Sequence, residues 1–128
     1  MNRGMCLGVA CFALAGCLRE RDRLDVPRVM LEVQEPTVAA GDSVRGRAWA
    51  LDGTGIIFFQ VTVETADSIA GDRRNRIGAD SVMIEFVLPV SSRATVDERV
   101  IVKAVARDNQ EFEITAVDTV YVRAAAPP

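Results

Sequence analysis

Arg73, Arg74 and Arg76 stand close together, flanked by Gly71-Asp72 and Asn75. Guanidinium forks match phosphate and carboxylate oxygens, so such a cluster suits a lipid headgroup, a phosphorylated glycan or an acidic protein patch. Asp67, Asp72 and Asp80 are near in sequence and offset part of its charge. Trp49 shares the parity of Arg45 and Arg47; an exposed indole beside a cation is an interface or sugar-stacking candidate. Phe58 carries the same potential. Asp52, Asp108, Asn109 and Asp118 offer hard oxygens near strand ends, as calcium requires. No D-x-D-x-D-G loop contains them, and aspartate commonly closes its own turn, so turn capping is the expected role. Ser43, Ser81, Ser91 and Ser92 lack a base, because the chain has no histidine. The acid pairs Glu111/Glu113 and Asp97/Glu98 have the residue types for glycoside hydrolysis but sit in or beside strands and turns, where solvation is expected. The reading is therefore non-catalytic, with no metal and no cofactor expected.

The first residues carry an address. Arg3 is followed by an apolar run from Gly4 to Ala15, ending in Leu14-Ala15-Gly16-Cys17. That run is far short of the ~20 residues a bilayer span needs, and it fits a signal-peptide core. Charge begins at once beyond it, with Arg19, Glu20, Arg21, Asp22, Arg23 and Asp25. Leu14-Ala15-Gly16-Cys17 resembles the lipobox of bacterial lipoproteins. The resemblance implies residues 1–16 as signal peptide, cleavage between Gly16 and Cys17, and lipidation of the Cys17 thiol. Two or more acyl chains hold a protein firmly to a membrane. Leu18, rather than an aspartate, points by analogy to the outer membrane where the organism has one.

All three cysteines lie at or before position 17. The remainder has no thiol for a disulfide, so packing alone must hold it together. The net charge of −3 lacks the basic excess of a nucleic-acid binder.

Residues 17–28 form a charged tether, and period-two alternation begins at Val29. Val29, Leu31 and Val33 form one face; Val44, Gly46, Ala48 and Ala50 another. By parity Trp49 shares the outer face with Arg45 and Arg47. Asp52-Gly53-Thr54-Gly55 reads as a turn. Ile57, Phe59, Val61 and Val63 then point inward against Phe58, Gln60, Thr62 and Glu64. Residues 66–80 read as a polar loop, with room for a short strand. Val82, Ile84, Phe86 and Leu88 give the cleanest alternation. Residues 91–97 read as a turn region. Val100, Val102, Ala104 and Ala106 precede a tight connection at Asp108-Asn109-Gln110. A last strand runs from about Phe112 to Val122, and residues 124–128 are a tail. Six or seven short strands with no helical period predict an all-β antiparallel sandwich over residues 29–123.

Gly41-Asp42-Ser43-Val44-Arg45-Gly46, Ala48-Trp49-Ala50-Leu51-Asp52-Gly53-Thr54-Gly55-Ile56 and Val61-Thr62-Val63 resemble the bacterial immunoglobulin-like domains of cell-envelope proteins. Val102-Lys103-Ala104-Val105-Ala106-Arg107-Asp108 and Asp118-Thr119-Val120-Tyr121-Val122 resemble their last two strands. Asn109-Gln110-Glu111 departs from the Gly-Asn usual after the penultimate strand. The resemblance implies an Ig-like sandwich and carries no activity with it. The expectation is a lipid-anchored module that meets another envelope protein; the alternative is a domain binding a glycan or anionic polymer through Trp49, Phe58, Arg73, Arg74 and Arg76.

Overall fold

The computed structural model describes residues 26–125. The signal peptide, the Gly16-Cys17 cleavage point and lipidation of Cys17 lie outside them. Six strands follow in order: β1 (Arg28–Val33), β2 (Thr37–Ala39), β3 (Ser43–Thr65), β4 (Ser68–Pro89), β5 (Arg99–Asp108) and β6 (Glu113–Arg123). No helix occurs among the described residues.

The strands form one hydrogen-bonded sheet curled into two wings. β3 and β4, of 23 and 22 residues, run through both. In the first wing the front half of β3 lies between β1 and the back half of β4, with Ala48 opposite both Leu31 and Ile84. In the second wing the back half of β3 lies between the front half of β4 and β5. β6 joins β5, and the short β2 closes the far edge parallel to β6. The result is the expected all-β sandwich, antiparallel except where β2 runs beside β6. Its core takes Ala48, Ile84 and Phe86 from the first wing, and Phe59, Val61, Val102 and Val120 from the second. Each is an inward position of an alternating strand, so burial follows directly from period two.

Two expectations are corrected. Asp52-Gly53-Thr54-Gly55 does not reverse the chain. β3 continues through it with register shifts between Leu51 and Ile56 and between Ile56 and Phe58. Asp52 Oδ1 accepts hydrogen bonds from Thr54 N (2.7 Å) and Thr54 Oγ1 (2.8 Å). Gly55 takes φ +100°. These turn-forming residues build a bulge that carries β3 from one wing to the other. The bulge also changes parity, so Ile56 is fully buried and Ile57 is only half-buried.

Residues 66–80 are not a loop. Ala66-Asp67 is a two-residue turn, and β4 starts at Ser68, paired in register with Thr65. The segment is polar because it is the outermost strand of its wing, where charges blunt an exposed edge. Arg76 (φ 57°) and Gly78 (φ 71°) lie in the stretch opposite the β3 bulge.

Candidate functional site

Trp49 occupies the middle of the first wing's outer face, paired with Met30 on β1 and Met83 on β4. It is half-buried. The Arg47 guanidinium lies 5.9 Å from the indole centroid and donates from Nη2 to Glu32 Oε1 at 2.8 Å. Met83 and Val87 are 54% and 58% exposed on the same face. A shallow open groove beside Trp49 is lined by Arg47, Leu51, Ser81, Val82 and Met83. An apolar row in one sheet face, rimmed by charge, is a recognised mark of an interaction surface.

This face ends at an open edge. β4 pairs with β3 and with no other described strand, so the outer side of Ser81–Pro89 presents unpaired backbone donors and acceptors. Glu85 and Pro89 are the residues there that discourage indiscriminate strand pairing.

The arginine cluster divides. Arg73 pairs in register with Gln60, and Arg74 with the buried Phe59. Adjacent strand residues point to opposite faces, so the two guanidiniums part. Arg74 forms an ion pair with Asp72. The Arg73 guanidinium lies 5.8 Å from the Phe58 ring centroid, and Arg107 approaches the same ring at 5.2 Å. Arg76 joins Ile57, Phe58, Asn75 and Arg107 around a shallow depression. The structure thus unites Phe58, Arg73 and Arg76, leaves Arg74 on the opposite face, and places Trp49 on the other wing. Arg107, which no sequence motif singles out, also pairs with Glu113 at 3.2 Å. Its alternation gave an outward side chain, but only the pairing of β5 with β3 brings it beside Phe58.

The four calcium candidates separate as well. Asp118 is exposed and accepts from Thr119 N at 2.8 Å. Asn109 Nδ2 donates to Thr54 O at 2.6 Å, tying the β5–β6 turn to the β3 bulge. Asp52 and Asp108 are buried, with 6% and 0% exposure, at the two sides of the β3 bulge: Asp52 opens it, and Asp108 pairs with Ile56 beyond it. Asp108 Oδ1 accepts from Gln110 N and Phe112 N, both at 2.9 Å. Each aspartate therefore caps its own turn. Burial pushes the Asp108 carboxyl above its ordinary value, the neighbouring Asp52 carboxyl adds to the rise, and the Phe112 and Gln110 amides oppose it. No group of three or more acidic, histidine or cysteine side chains able to hold a metal occurs among the described residues.

No protein-family model matches the chain, and no curated protein matches it. Solved structures do. The sporulation control protein Spo0M from Bacillus subtilis is similar over 78% of this chain, with TM-score 0.56 and 11% identity. A superoxide reductase (neelaredoxin) from Ignicoccus hospitalis aligns over 77% of this chain and 80% of its own, with TM-score 0.47 and 12% identity. A PKD domain of an M14-like peptidase from a Thermoplasmatales archaeon aligns over 77% and 93%, with TM-score 0.44 and 16% identity. This chain spans 50% of the Spo0M structure. At that identity the likeness to Spo0M is one of fold.

Proposed function

We propose that this chain is a membrane-anchored lipoprotein of the cell envelope whose Ig-like domain is a non-catalytic interaction module. The address rests on Leu14-Ala15-Gly16-Cys17 and the apolar run before it. The interaction reading rests on one observation: β4 has a free edge beside the partly exposed cross-strand row of Met30, Trp49 and Met83. An extended segment of another envelope protein would add as a strand along Ser81–Pro89. Main-chain hydrogen bonds would supply affinity, and the apolar outer positions would supply selectivity. Cys17 would keep the module at the membrane, where its partner is concentrated.

A photo-crosslinking side chain placed at Met83, and separately at Val117, tests this in the cells that make the protein. Val117 is 58% exposed but lies on β6, on the other wing. One discrete adduct from position 83 and none from 117 supports strand addition. Equal labelling, or none, overturns it. Cys17→Ser separately tests the anchor: the product should leave the membrane fraction or persist as the longer precursor.

A second reading has its own observation. Phe58 lies beside two guanidiniums, from Arg73 and Arg107, an arrangement suited to a glycan or anionic polymer.

A further inference from the structure

Asp52 and Asp108 are the buried charged side chains among the described residues. Each is half satisfied. Oδ1 of Asp52 takes the Thr54 amide and hydroxyl, and Oδ1 of Asp108 takes the Gln110 and Phe112 amides. Oδ2 of both is buried without a partner. Two carboxylates so placed would repel in a medium that cannot screen them, and each bare oxygen would bear a desolvation cost. A single proton held between them removes one charge and gives both oxygens a hydrogen bond.

We propose that Asp52 and Asp108 share one proton, forming a buried acid pair that clamps the joint between the wings in acidic solution and loosens it as pH rises. The position makes this a device of the fold. Asp52 opens the bulge that carries β3 between wings, and Asp108 pairs with Ile56 at the far side of that bulge. Asn109 bonds the same bulge through Thr54 O.

Among the described residues the neighbouring elements supply no compensating cation. Arg28 on β1 pairs with Leu51 beside the bulge, Asp80 on β4 lies between Ala79 and Ser81, the partners of Ile56 and Leu51, and Glu111 follows in the β5–β6 turn; all three are exposed. Arg107 and Glu113 satisfy one another. None of the salt bridges among the described residues includes Asp52 or Asp108. Asp52 is the charged group that acts on Asp108.

The sign follows from linkage. The folded state holds the Asp108 proton above 3.8, the ordinary value at which the unfolded chain releases it. The pair's contribution is whole below that value and is lost as pH rises through the higher folded value. With no histidine in the chain, few other groups titrate between pH 5 and 8.

The test is the thermal midpoint of the full chain across pH 4 to 8, beside Asp108→Asn. In the variant Oδ1 still accepts both amides, and Nδ2 donates to Asp52 Oδ2 without a titrating proton. The native midpoint should fall with rising pH. The variant should lose most of that fall and sit at least about 3 °C above the native chain at pH 7. A variant below the native chain throughout overturns the proposal. So does calcium raising the native midpoint but not the variant's, which would make the pair a cation site. If the variant does not fold, carboxyl carbon NMR of the native chain decides. One aspartate titrating well above the ordinary range supports the pair; none overturns it.

Discussion

Gly46 of β3 lies directly across from Val33 of β1, and the two strands meet there with no room for a side chain. A Cβ on Gly46 would stand 2.3 Å from the Glu32 carbonyl oxygen, 2.7 Å from Phe86 Cζ and 3.1 Å from Val33 Cα. Two of those atoms are backbone and cannot swing aside. Gly46→Ala should therefore part β1 from β3 or displace Phe86, costing about 1–3 kcal/mol, as overpacking does. Gly53→Ala is the control, since nothing lies within 4 Å of its Cβ position. Urea unfolding of both variants checks this; equal midpoints would show that β1 is loosely held.

Ile84 and Val102 lie in different wings and are 1% and 0% exposed. Both belong to the single core cluster. Ile84→Ala should cost about 2–5 kcal/mol through lost burial and the cavity left behind. Ile84→Asp and Val102→Asp should each abolish the cooperative thermal transition, because an unpaired charge in this core has no partner. Circular dichroism melts report it, and a normal transition in either aspartate variant would contradict the assigned inner faces.

Legibility in the sequence depended on how local the signal was. Alternation from Val82 to Leu88 marks one face, and Ile84, Phe86 and Leu88 are buried. The Asp52–Gly55 segment reads as a turn in sequence because the same residue types satisfy a turn or a bulge, and only the register of β3 against β4 and β5 decides. The front half of β4 resembles a loop in sequence because an edge strand and a loop are both polar. Phe58 with Arg107, and Asp52 with Asp108, are contacts across paired strands. Alternation gives each side chain its face, but it does not give which strand lies alongside.

The Phe58 cluster should matter more for binding than for folding. Arg73 is exposed and Arg107 is half-buried, and cation–π contacts of exposed groups contribute about 0.5–1 kcal/mol each. Arg73→Ala and Arg107→Ala should therefore shift the unfolding midpoint only slightly, alone or together. If the anionic-polymer reading holds, the double variant should lose binding to polyphosphate while Trp49→Ala keeps it. Retention of binding by the double variant would remove the cluster from consideration.

Glu98 gives a pH response of the opposite sign to Asp108. Its Oε2 accepts from Ala66 N and its Oε1 from Thr95 N, both at 3.0 Å. Ala66 lies in the turn joining β3 to β4, so this carboxylate ties the tip of the long hairpin to the segment entering β5. The two amides, Ala66 first, hold the Glu98 carboxyl below its ordinary value of 4.5. The folded state thus releases this proton more readily than the unfolded chain. The contribution is present above 4.5 and is lost as pH falls through the lower folded value. A glutamine keeps one acceptor oxygen and must give up one of the two amides. Glu98→Gln should therefore lie below the native chain at pH 7, with the gap closing toward pH 3. Thermal melts at the two pH values measure the gap, and one that does not change with pH would assign Glu98 a role independent of its charge.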